Sequence, residues 1–76
     1  MYRLKDLRED NDLSQKDIAK ILNIPTRTYS SYENNERGLP IDILIQLTKI
    51  YNTSSDYILG LTNINKAYPN RKINIK

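Results

Sequence analysis

Thr26, Arg27, Ser30 and Ser31 fall within six consecutive residues and present only short hydroxyls and one guanidinium. At about 3.6 residues per turn they share one side of a helix, with Tyr29 and Tyr32 on the other. Such a row performs no covalent chemistry but suits recognition. Hydroxyls both donate and accept. A guanidinium matches either the two acceptors of a guanine edge, with about 1–3 kcal/mol of discrimination, or a phosphate. Thr28 is an auxiliary on the same helix. Catalysis has no comparable set. The chain lacks cysteine and histidine, which excludes disulfides, thiolate or imidazole metal sites, a Cys nucleophile and any Ser-His pair. Its carboxylates read as capping groups or as solvated surface, with no nucleophile and base at a useful spacing. No enzyme, no metal and no cofactor is therefore expected.

The row needs a rigid mount, and the residues before it supply one. Ile18, Ala19 and Leu22 recur at helical spacing behind Ser14, a candidate N-cap with Asp17 three residues on, so the pattern predicts a helix over Gln15–Leu22. Asn23 tolerates the left-handed conformation that stops a helix and Pro25 cannot continue one, which makes Asn23-Ile24-Pro25 a tight turn. A second helix follows, from Pro25 or Thr26 to Asn34, with Pro25 suited to its first position.

Three further helices are predicted around this pair. The first runs from Tyr2 to Asn11, with Leu4 and Leu7 as its apolar stripe and Arg8 at the edge of that stripe. Asn35-Glu36-Arg37-Gly38-Leu39-Pro40 is a loop, and Pro40 opens a helix over Ile41–Tyr51. Leu44, Leu47 and Tyr51 share a face there, whereas Ile41, Ile43, Ile45 and Ile50 spread apolar surface around the rest. That width calls for surrounding helices, for a contact with another subunit, or for both. Ser54 is a candidate N-cap for a short last helix that stops at Gly60, with Tyr57, Ile58, Leu59 and Leu61 giving it apolar surface.

Taken in order, Leu7-Arg8, Leu13-Ser14-Gln15, Ile18-Ala19, Leu22, Ile24, Thr28-Tyr29-Ser30, Tyr32-Glu33, Arg37, Pro40, Leu44, Leu47 and Ser54-Ser55-Asp56-Tyr57-Ile58-Leu59-Gly60 resemble the helix-turn-helix family of Cro and the lambdoid phage repressors, also called the xenobiotic response element family. The resemblance runs from Leu4 to Gly60, with Asn23 where the family usually has Gly and Pro25 where it usually has a capping Ser. It implies an all-α, compact five-helix lambda-repressor-like domain with the helix-turn-helix at helices 2 and 3. It also implies a transcriptional regulator, a repressor in phage or mobile-element style, that binds double-stranded DNA as a homodimer at a palindromic site.

On that resemblance the third helix enters the major groove, with Thr26, Arg27, Ser30 and Ser31 as base readers. Gln15, Lys16, Tyr32, Asn34, Asn35 and Arg37 would meet phosphate. Arg8 and Glu33 would form a salt bridge between helices 1 and 3. Tyr57, Ile58 and Leu61 are candidates for the dimer contact, or else they close the monomer core. The alternative is an interaction module or antitoxin that uses the same scaffold on a protein partner.

Seventy-six residues is one domain, expected over residues 1–61, followed by a basic tail over 62–76. The net charge of +3 and pI near 9.3 come from that tail. Lys66, Arg71, Lys72 and Lys76 have no acid among them, leaving eight basic against nine acidic residues up to Asn65. The case for nucleic acid therefore rests on where the bases lie rather than on their number. Glu9, Asp10 and Asp12 mark a face turned away from phosphate. The tail is expected to be disordered, a short strand over Arg71–Lys76, an arm along DNA or a protein-binding element. No apolar run approaches a membrane span, and the N-terminus is too charged for a signal peptide, so a cytoplasmic protein is expected.

Overall fold

The structure is a computed structural model that describes residues 2–67, and the chain is all-α there, with no strand among the described residues. Its helices are α1 (Leu4–Asp10), α2 (Gln15–Leu22), α3 (Thr26–Glu33), α4 (Ile41–Tyr51) and α5 (Ser55–Leu59). α2 packs on α3, α1 also rests on α3, and α4 packs on α5. Leu4, Leu7, Ile18, Ala19, Leu22, Tyr29, Tyr32, Ile43, Leu47 and Ile58 form one buried core drawn from all five helices.

The helix starts follow local chemistry. Ser14 Oγ accepts the Asp17 N–H at 3.0 Å while the Asp17 carboxylate accepts the Ser14 N–H at 2.9 Å, a reciprocal capping box that opens α2. Ser54 Oγ accepts the Tyr57 N–H at 3.1 Å and opens α5. α3 and α4 instead start behind Pro25 and Pro40, both extended and both without a capping side-chain bond. Pro25 is thus the residue before the helix, not its first residue: its ψ of 146° is a strand value, and its carbonyl receives the Tyr29 N–H. α1 begins two residues later than its apolar pattern suggests. Arg3 N–H donates to the Ile58 carbonyl at 2.9 Å, and Tyr2 Oη accepts the Leu39 N–H at 3.3 Å.

The helix ends share one device. Asp12, Asn23, Asn35, Asn52 and Gly60 have positive φ, between 51° and 81°. The residue after each donates back to a carbonyl five positions earlier: Leu13 to Arg8, Ile24 to Ala19, Glu36 to Ser31, Thr53 to Thr48 and Leu61 to Asp56. This is the closure that satisfies orphan carbonyls at a helix end. Four of the five positions are Asn or Asp, whose short polar side chains tolerate this backbone better than other residues with a Cβ.

α4 turns its expected face to the core and buries Ile43 beside it. Ile43 and Leu47 lie in the core, Leu44, Ile50 and Tyr51 pack partly against it, and Ile41 and Ile45 are exposed. α5 docks through Ile58, which is fully buried and joins the core. Ile58 therefore cannot face another subunit while α5 stays docked, which corrects its place among the dimer candidates. Tyr57 carries the Arg3 guanidinium over its ring at 4.6 Å, and Leu61 is exposed. Beyond α5 the chain returns to the domain. Arg3 Nη2 donates to the Thr62 carbonyl at 3.2 Å and to Asn63 Oδ1 at 2.7 Å, and Thr53 Oγ1 donates to Asn65 Oδ1 at 2.7 Å. The strand considered for Arg71–Lys76 lies outside the described residues.

Ile58→Ala should lower the unfolding free energy by about 2–5 kcal/mol, the usual cost of a cavity at a closed core site. Urea denaturation should show the same loss at low and high protein concentration. A loss that appears only at high concentration would place Ile58 in a subunit contact instead.

Candidate nucleic-acid interface

The C-terminal end of α3 is fixed by its last residue. Glu33 has 5% of its side chain exposed and Arg8, from α1, has 12%. Arg8 Nε donates to Glu33 Oε2 at 2.7 Å and Nη2 to Oε1 at 3.3 Å. Gln15 Nε2, from the first turn of α2, donates to Oε1 at 3.0 Å, and Tyr29 Oη to Oε2 at 2.7 Å. Arg8 Nη1 completes the set by donating to the Leu13 carbonyl at 2.9 Å. Burial alone would push the Glu33 carboxyl up, but the bonds from Arg8, Tyr29 and Gln15 outweigh it and hold the group below the ordinary carboxylate range. The Glu33 hydrogen bond holds the Arg8 guanidinium more firmly charged. Burial, then Glu33, pushes the Tyr29 phenol far up, and burial pushes Tyr51 up to about 12.

With Glu33 turned inward, the outward side of α3 is free of carboxylates. Thr26 and Arg27 are exposed, and Ser30 is half-buried with its Oγ accepting a long bond from Asn34 Nδ2 at 3.4 Å. Lys16, Asn34, Asn35 and Arg37 are exposed. Two expected contact residues sit differently. Ser31 is 9% exposed and donates its hydroxyl to the Thr28 carbonyl of its own helix at 2.6 Å, so it offers little to an external partner. Tyr32 is 5% exposed and belongs to the core, which leaves little of it for phosphate. Gln15 is half-buried and spends one amide N–H on Glu33. Tyr29 was legible as core but not as a donor, although its spacing of four from Glu33 on one helix is the available signal.

Arg27 and Arg37 come together from opposite ends of the α3 region. With Pro25 and Thr28 they line a cleft of about 390 Å³ whose wall contains no acid. Asp17 is occupied by its cap, and Glu36 is exposed in the loop before Arg37. Among the described residues no cluster of His, Cys, Asp or Glu could hold a metal ion, and no helix is long and apolar enough to cross a membrane.

Comparison with known proteins matches residues 4–58 to the helix-turn-helix family. The HTH-type transcriptional regulator ImmR of Bacillus subtilis (strain 168) is 39% identical over 64 residues, covering 84% of this chain and 50% of that protein. An uncharacterized HTH-type transcriptional regulator of the same organism, YobD, is 38% identical over 61 residues, covering 80% of this chain and 54% of that protein. The HTH-type transcriptional regulator PrpR of Mycobacterium tuberculosis (strain ATCC 25618 / H37Rv) is 33% identical over 55 residues, which is 72% of this chain and 11% of that protein. The matched part of the chain thus spans about half the length of the first two relatives. No solved structure matches the chain significantly.

The Glu33 network makes stability depend on acid. Its folded pKa lies below the ordinary value of 4.5, so its contribution is fully present above that value and is lost as pH falls through the folded one. Glu33→Gln removes the titrating group while keeping its shape. Chemical denaturation between about pH 6 and pH 3 should show the wild type losing more stability than the variant over the lower half of that range. Parallel curves would show that Glu33 is not held in its charged form by the fold.

Proposed function

This chain belongs to the helix-turn-helix family of Cro and the lambdoid phage repressors, and we propose that it is a sequence-specific DNA-binding transcriptional regulator, a repressor that occupies a palindromic operator as a homodimer. The observation that carries the reading is the outward side of α3, where Thr26, Arg27 and Ser30 stand without a competing carboxylate because Glu33 is locked inward. In the proposed complex α3 lies in the major groove with its first turn toward the bases. Thr26 and Ser30 offer groups for base edges, including methyl contact between Thr26 and thymine, and Arg27 supplies the strongest charged contact. Lys16, Asn34, Asn35 and Arg37 are exposed and would hold the backbone on both sides of the groove. Gln15 would contribute the part of its amide that Glu33 does not use.

A homodimer is proposed because one such module buries only about 600–1,000 Å² on DNA. Two copies would read half-sites about 34–36 Å apart. Leu61 and the open side of Tyr57 are the available contacts from the end of α5. A second reading, a protein-binding module or antitoxin on the same scaffold, is favoured by the exposed pair Ile41 and Ile45 on α4. The tail beyond Asn65 would then be the element that engages the partner.

Selection of random duplex DNA on the purified chain tests the two together. The regulator reading expects a two-fold symmetric consensus, with affinity that falls steeply with salt by a slope of about 0.9 per phosphate contacted. Failure to enrich any sequence, with residual binding that disappears on truncation at Asn65, would favour the protein-partner reading.

A further inference from the structure

Ile41, Asp42, Ile45, Gln46 and Lys49 of α4 are all exposed. At about 100° per residue they occupy one continuous stripe, opposite the side that buries Ile43 and Leu47. Ile41 and Ile45 lie one turn apart on it, with 74% and 49% of their surface open. Asp42 and Lys49 are about two turns apart and so stand in line along the stripe, with Ile45 between them. Neither finds an opposite charge in its own chain, because the only ion pair within 4 Å among the described residues joins Arg8 to Glu33.

An apolar centre with an acid at one end and a base at the other is self-complementary in one arrangement. If a second α4 lay against the first in the same direction, Asp42 would meet Asp42 and Lys49 would meet Lys49. In the opposite direction, about a two-fold axis near Ile45, the acid of each copy meets the base of the other and the two helix dipoles oppose. Asp42 is three residues before Ile45 and Lys49 is four after it, so both ion pairs and the contact of Ile45 with its own counterpart form at one register.

We propose that the occupant of this face is a second copy of the chain, docked through antiparallel α4 helices, with Ile45 at the centre and Asp42 of each copy paired to Lys49 of the other. The inference rests on the homodimer reading above and makes it specific, placing the contact on α4 and not at the end of α5. α4 is 11 residues long, about 16 Å, so the seam falls well below the roughly 800 Å² per partner of a standard interface. The dimer is therefore weak in free solution and is completed on DNA, where two linked half-sites hold the copies at high effective concentration.

Sedimentation of the full chain between about 1 μM and about 1 mM should show a passage from monomer to dimer. Asp42→Lys and Lys49→Asp, each alone, set like charges together at both contacts and should stay monomeric over that range, as should Ile45→Asp. All three positions are exposed, and thermal unfolding checks that each variant folds. Mixing Asp42→Lys with Lys49→Asp restores opposite charges at both contacts, and the mixture should form a heterodimer as readily as the wild type dimerises. Variants that dimerise like the wild type, or single variants that do not recover on mixing, would overturn the α4 seam and leave the regulator reading intact. A wild type that stays monomeric throughout, or until it is cut at Asn65, would overturn it too, the second result assigning the face to the chain's own tail.

Duplex DNA separates the seam from the regulator reading. On a selected site with two half-sites, each single variant should bind about tenfold more weakly than the wild type, and on an isolated half-site equally well. An equal loss on the isolated half-site would mean that α4 meets DNA and not its counterpart, which overturns the seam. A chain that passes the mixing test but enriches no duplex would keep the seam and lose the regulator.

Discussion

A carboxylate that is almost wholly removed from water must collect hydrogen bonds or give up its charge. Glu33 collects four, from Arg8, Gln15 and Tyr29. The donors come from α1, α2 and α3, so satisfying one group sets the relation of three helices. α3 has particular need of this. It is eight residues long, below the length at which a helix is stable alone, and its sequence TRTYSSYE is poor in strong helix formers. Tertiary contacts hold it instead, with Tyr29 and Tyr32 burying one side and Glu33 fixing its last turn. The same bonds clear negative charge from the opposite side. Structure and proposed contact surface thus depend on one side chain.

The remaining architecture comes from abrupt helix ends. Five helices fit in fewer than sixty residues because each stops within one left-handed residue and turns at once. The chain achieves this with few glycines by using Asp12, Asn23, Asn35 and Asn52 for four of the five stops. Asn and Asp make these stops compatible with a stiffer unfolded chain than glycine would give. The tight turn between α2 and α3 is one such stop followed by Pro25, and it sets the direction in which Thr26 and Arg27 leave the body of the domain.

Much of this was legible in the residues. Ser14 with Asp17, Asn23 before Pro25, Ser54 and Gly60 are local signals whose chemistry acts within a few positions, and α2, α4 and α5 have the bounds those signals predict. The family and the all-α fold followed from the ordered set between Leu4 and Gly60. What the sequence could not convey is decided between distant segments. α1 starts at Leu4, and the Arg3 N–H before it bonds to the Ile58 carbonyl, a partner about which periodicity carries no information. The wide apolar surface of α4 allowed several buried faces, and the docking of α5 selected the one with Ile43 and Leu47. Ser31 looked equivalent to Ser30 on a helical projection, but its hydroxyl turned back to Thr28. The cleft shared by Arg27 and Arg37 joins a helix start to a loop ten residues later, so no single-helix pattern could reveal it.

The clasp at Arg3 has a topological consequence. Its guanidinium bonds to Thr62 and Asn63, about sixty positions along the chain, while its backbone N–H bonds to Ile58. The entrance and exit of the folded unit are therefore neighbours, and the domain is in effect a closed ring with one short gap. A unit of that kind can be spliced into a surface loop of another protein without prying that loop apart, and its own chain can be joined at the gap and reopened elsewhere with the core kept. Tension applied between its two ends would meet the Arg3 clasp and α5 before it reached the Glu33 network, so the part that faces outward would be the last to feel the pull.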